Sequence, residues 1–123
     1  MASWDDVARL AARLPGAEAS THWRRECFKV GGRAFVTRRP LSQRDRDQLV
    51  ALGRPVPESE LVFVRVEHEG AKEAVLQTEP ACLTVPHLDG YPAVLVALDD
   101  ATPDLLEELV TESFLICGGT LED

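Results

Sequence analysis

Glu26-Cys27-Phe28-Lys29-Val30-Gly31-Gly32-Arg33-Ala34-Phe35-Val36-Thr37-Arg38 reads as two short strands folded back on each other. Phe and Val suit a pleated, half-buried surface, and the Gly31-Gly32 pair between the two runs accepts the positive φ angles of a tight hairpin turn. With regular pairing across that turn, Phe28 is expected opposite Phe35. Arg25, Lys29 and Arg38 then fall on the other face with Cys27, Ala34 and Val36. The hairpin thus predicts one aromatic face and one partly cationic face.

Upstream, Ser3 can cap a helix with Asp6 three residues on, and Trp4, Val7, Leu10, Ala11 and Leu14 recur at helical spacing until Pro15-Gly16 stops it. Downstream, Ser42 opens a short helix closed by Gly53, and Arg54-Pro55-Val56-Pro57 is a stiff connector. Residues 61–67 read as a Val-rich strand and 71–78 as a short helix stopped by Pro80. Residues 81–85 and 93–98 read as two more strands, joined by the loop Pro86-His87-Leu88-Asp89-Gly90-Tyr91-Pro92. In the last helix Thr102 is the cap and Pro103 the first residue, where a missing N–H costs nothing. Leu105, Leu106, Leu109, Val110, Ser113, Ile116 and Cys117 share its apolar face, opposite Asp104, Glu107, Glu108 and Glu112. Gly118-Gly119 ends it, and Phe114 and Trp23 are both expected to pack inward.

The expected fold is α+β, a single domain over residues 1–123 with an antiparallel five-stranded sheet. Its order is α-β-β-β-α-β-β-α, with a short helix inserted before strand three. The first and last helices each carry one apolar stripe, so both are expected on the same face of the sheet.

Hydrophobic residues make up 45% and charged residues 28% of the 123, which excludes intrinsic disorder and allows a packed core without staples. No basic start leads into an apolar stretch, and no apolar run is long enough to cross a bilayer. The expectation is a cytoplasmic protein with no membrane partner. Cys27, Cys82 and Cys117 are far apart and form no Cys-x-x-Cys pair, so they are read as reduced thiols. Net charge is −8, yet residues 24–54 hold nine basic and three acidic side chains, while residues 55–123 hold two and fifteen. Such segregation points to a polarised surface.

Leu14-Pro15-Gly16-Ala17, the hairpin from Phe28 to Phe35, and Thr84-Val85-Pro86-His87-Leu88-Asp89-Gly90-Tyr91-Pro92-Ala93-Val94-Leu95-Val96 together resemble the MmcQ/YjbR family. The resemblance covers most of the chain outside residues 39–60, and the Pro-His-x-Asp-Gly-Tyr-Pro segment is its most specific part. It implies a twisted antiparallel sheet covered by helices, like that of CyaY and the secretion chaperones, and a bacterial cytoplasmic origin. It also implies DNA as a partner, and supplies no catalytic residues.

His87, Asp89 and Tyr91 lie within one turn-rich loop, where a His and a carboxylate can do acid–base work in a suitable cleft. Ordinary turn chemistry accounts for them more simply, with Asp89 bonding nearby backbone and Tyr91 and His87 pinning the loop to the sheet. His22, His68 and His87 are scattered, so neither a metal site nor a cofactor is expected. Cys27 and Cys82 stand beside apolar residues as inert thiols. The reading that follows is a non-enzymatic binding module. Nucleic acid is its leading partner, held by Arg24, Arg25, Lys29, Arg33 and Arg38. A protein- or peptide-binding module using an exposed sheet face is the alternative, and an enzyme built around the His87 loop is third.

Overall fold

The computed structural model describes residues 2–121. Its elements are α1 (Trp4–Ala12), β1 (Glu18–His22), β2 (Arg25–Val30), β3 (Arg33–Arg38), α2 (Gln43–Ala51), β4 (Leu61–Arg65), α3 (Glu69–Thr78), β5 (Cys82–Leu83), β6 (Ala93–Ala97) and α4 (Pro103–Ile116). Short 3-10 turns occupy Pro86–Leu88 and Leu98–Asp100. The strands form one sheet in the order β1-β2-β3-β4-β6-β5, antiparallel throughout. The α+β architecture and the placement of α1 and α4 on a common face hold, but the sheet has six strands rather than the expected five.

The additional strand is β1. Glu18-Ala19-Ser20-Thr21-His22 has no alternating apolar residues because it is an edge strand with four of its five residues exposed. It is held by pairing along its whole length with β2, from Glu18 opposite Lys29 to His22 opposite Arg25. The turn between them, Trp23-Arg24, has φ angles of 52° and 65°. A two-residue hairpin turn with both φ angles positive normally carries Asn or Gly, so side chains of this kind hide the signal.

The hairpin register also differs from the expected one. Phe28 pairs with Val36 and Lys29 with Ala34, which leaves Phe35 as the extra residue of a β-bulge. Phe35 and Val36 are therefore both fully buried beneath the helices, where Phe35 meets Phe114 of α4 edge-on at 5.3 Å. Ser113, buried on α4, completes the join. Its hydroxyl donates to the Phe35 carbonyl and accepts the Arg65 N–H at 2.9 Å. Beyond the bulge the alternation is shifted by one, so Arg38 lies in phase with Phe28 and Val36, away from Arg25 and Lys29.

Two cores result. Phe28, Val36, Val62, Val64, Val94 and Val96 pack against α1 and α4. On the opposite face Leu61, Leu95 and Ala97 pack with Leu49 of α2 and with Val85 and Leu88. This second cover reaches the β4-β6-β5 half of the sheet and leaves a hollow over β2, β3 and β4.

α1 starts as expected, with the Asp6 carboxylate accepting the Ser3 N–H at 2.9 Å. α3 starts earlier than expected because Nδ1 of His68 caps it, accepting the Ala71 N–H at 3.0 Å. Phe114 is fully buried, whereas Trp23 is 85% exposed, against the expectation that both pack inward. Among the described residues no helix is long and apolar enough to cross a membrane.

Candidate functional site

The hollow on the open face of the sheet has a volume of about 620 Å³. Strand alternation builds its floor, since Arg25 and Lys29 of β2, Thr37 of β3, and Phe63 and Arg65 of β4 all point to this side. One end is formed by His22 and Trp23, the other by Gly32 and Arg33 at the β2-β3 turn. Arg39 follows β3, and His87, Leu88 and Tyr91 close the remaining wall. The cationic hairpin and the His87 loop, some fifty residues apart in sequence, thus share one surface. Among the described residues none that lines it is Asp or Glu.

The cations differ in how free they are. Arg39 donates to the buried Asp45 at 3.0 Å and to the Pro40 carbonyl at 2.7 Å. Burial alone would raise the Asp45 carboxyl, but the Ser42 N–H and the Arg39 guanidinium outweigh it and hold the group below its ordinary 3.8. Arg65 donates to the Tyr91 hydroxyl at 2.8 Å, and its guanidinium carbon lies 5.5 Å from the centre of that ring. Arg25, Lys29 and Arg33 make no ion pair among the described residues. They are the cations available to a ligand.

Of the five basic residues expected to act together, Arg24 and Arg38 are elsewhere. Arg24 lines a neighbouring hollow that shares Arg25 and Pro40 with this one and also contains Glu26, Glu58 and Glu60. Arg38, placed on the helix side by the bulge, pairs with Glu26 at 2.8 Å and with Glu60. Trp4 donates its indole N–H to Glu26 and its backbone N–H to Glu60, so this cluster ties α1 to the sheet.

The 86–91 loop is held as expected by Tyr91, but not by His87 or Asp89. His87 and Asp89 are exposed and make no side-chain hydrogen bond among the described residues, and Asp89 does not line the hollow. The loop is pinned by Tyr91 through Arg65, and by Lys72 of α3, whose buried ammonium donates to the carbonyls of Leu88 at 2.6 Å and Tyr91 at 2.9 Å. Gly90, at φ 77°, supplies the turn. Sequence reasoning missed Arg65, Phe63 and Arg39 as lining residues. The alternation Phe63-Val64-Arg65 within a strand was the available signal.

The family model described as YjbR matches residues 12–116, which is most of the chain. The chain is a member of the YjbR family. The YjbR chain is 45% identical over 119 residues to "Uncharacterized protein Rv2570" of Mycobacterium tuberculosis, a match covering 94% of this chain and 88% of the relative. The same figures apply to "Uncharacterized protein Mb2600" of Mycobacterium bovis. In three dimensions it resembles the crystal structure of Deinococcus radiodurans protein DR2400, family-model domain DUF419. That superposition has a TM-score of 0.65 at 22% identity and covers 94% of this YjbR chain and 78% of the other, a likeness of fold.

None of the three thiols is among the residues lining the hollow, although the Cys117 thiol donates to the carbonyl of Ala34, which does line it. Burial pushes Cys82 up to about 12 and raises Cys27 and Cys117, and all three are buried. Among the described residues no group of His, Cys, Asp and Glu has the arrangement of a metal site.

Proposed function

We propose that this YjbR protein is a non-enzymatic binding module that holds nucleic acid on the open face of its sheet. The observation that carries this reading is the hollow itself. Among the described residues, Arg25, Lys29, Arg33, Arg39 and Arg65 line it together with Trp23, Phe63 and Tyr91 and with no Asp or Glu, in a chain of net charge −8. At physiological salt the Debye length is about 8 Å, so acidic residues on the far side of the domain are screened from a ligand here. Among the described residues His87 enters the hollow with no lining carboxylate to orient it, an arrangement that supports binding rather than acid–base turnover.

Fluorescence anisotropy with labelled nucleic acid across a range of salt tests the reading. Each phosphate neutralised contributes about −0.9 to the slope of log affinity against log salt for a duplex and about −0.7 for a single strand. With Arg25, Lys29 and Arg33 engaged, the slope is expected between about −2 and −3. Replacing all three by alanine removes most of it and leaves the fold intact, because none contributes to either core. Replacing Arg24 instead has little effect. Absence of binding to any nucleic acid at low salt overturns the proposal and moves strand addition at the open edge of β1 to first place.

A further inference from the structure

We infer that the ligand of this surface is a single strand, with bases stacked on Trp23 and Tyr91, and not a duplex. The inference rests on the nucleic-acid reading above and deepens it. A duplex hides the faces of its bases in its own stack and offers a protein surface mainly phosphates and groove edges, whereas a single strand offers both phosphates and π faces. A purely electrostatic duplex platform needs no aromatic side chains. This one has three among its lining residues, and two of them, Trp23 at 85% and Tyr91 at 41%, are exposed.

The exposure of Trp23 is built in. Its backbone sits in the two-residue β1-β2 turn with both φ angles positive, and Trp23 belongs to neither core. Among the described residues its one ring partner is His22, nearly perpendicular at 6.0 Å, and Trp23 stays largely open to solvent. Tyr91 is oriented by the hydrogen bond from Arg65 and abuts Phe63, with centroids 6.1 Å apart. Between these two stacking surfaces stand Arg25 and Lys29 on one strand, their Cα atoms about 13 Å apart at the usual rise per residue. Aromatic rings flanking a file of unpaired cations are the two components from which sequence-tolerant single-strand sites are built.

The experiment compares an oligothymidylate of about ten nucleotides, a duplex of equal length and thymidine monophosphate, at low salt. The expected order has the single strand binding tightest, with quenching of tryptophan emission. Trp4 is buried and Trp23 exposed, so the quenching belongs to Trp23 and vanishes in Trp23→Ala. That variant is expected to weaken single-strand binding about 5- to 150-fold, the effect of losing one stacked base, while keeping the salt slope. Trp23→Phe is expected to retain most of the affinity. A duplex bound as tightly as the single strand, or Trp23→Ala binding like wild type, overturns the inference and leaves the nucleic-acid reading standing. Thymidine monophosphate bound as tightly as the strand overturns it in favour of a mononucleotide ligand. If none of the three probes binds, both proposals fail together.

Discussion

Lys72→Met removes a buried ammonium while keeping most of the side chain's length and apolar stem. In the folded protein that ammonium donates to two carbonyls of the 86–91 loop, Leu88 and Tyr91. Hydrogen bonds to charged groups contribute about 1.5–3 kcal/mol each, and two of them set an upper range. Two features bring the figure down. Each carbonyl keeps a backbone partner, Leu88 from the Tyr91 N–H at 3.0 Å and Tyr91 from the Ala93 N–H at 2.8 Å, so neither is orphaned. Removing the charge also relieves its desolvation. The expected net loss is about 2 kcal/mol, which for a chain of this size lowers Tm by about 8 °C. Thermal unfolding followed by circular dichroism measures it, and amide exchange of residues 88–91 should quicken more than that of β2–β4. Because His87 and Tyr91 line the hollow, single-strand binding should weaken alongside. A variant within about 2 °C of wild type, or one that gains stability, would refute the assignment of Lys72 as the pin of this loop.

Three further outcomes are expected. A Cβ at Gly119 would fall inside the contact distance of the buried Phe114 ring, so Gly119→Ala should cost about 1–3 kcal/mol by overpacking, read as a lowered urea midpoint; an unchanged midpoint would show that the ring yields freely. Asp45 is held below its unfolded 3.8, so its stabilisation is present above that value and is lost as pH falls through the lower folded one. Asp45→Asn should therefore flatten the acid limb of Tm against pH, and an unaltered limb would assign acid sensitivity to other carboxyls. Native protein at pH 8 should be inert to a thiol reagent, with Cys27, Cys82 and Cys117 all reacting once urea unfolds it. Fast modification of any of them in the folded state would contradict their burial.

What was legible in the sequence is what local chemistry encodes. Gly31-Gly32 announced a turn that is there, at φ 57° and 81°, and the stripe ending at Cys117 announced α4. What was not legible depends on partners distant in sequence. β1 is polar and stands as a strand only because β2 pairs with it, and its turn uses Trp23 and Arg24 where Asn or Gly is usual. The bulge at Phe35 is invisible in a run that alternates acceptably on its own. It becomes the better solution once Phe114 and Ser113 of α4 are present to receive the extra side chain and the freed carbonyl. That single slip moved Arg38 out of the cationic set and into the cluster with Glu26 and Glu60. Five cations were named from the hairpin, and three of them, Arg25, Lys29 and Arg33, line the hollow. Of its other cations, Arg39 directly follows β3 in the chain, and Arg65 comes from β4, which only the sheet order brings alongside.

The alternation along β2 has a consequence for how such a protein can diversify. Arg25 and Lys29 face the hollow, while Glu26 and Phe28, their neighbours in the chain, face α1. Ligand preference and structural integrity are thus written on interleaved positions of one strand. Exchanges at the first set leave the second untouched, so charge and stacking on the open surface can drift from one descendant to the next at little risk to the fold. A change in strand length has no such freedom. Gaining or losing one residue in β2 would trade the two sets wholesale, placing cationic side chains under α1 and a phenylalanine on the open face. Variation across descendants should accordingly run to substitutions along this strand, with insertions confined to its turns.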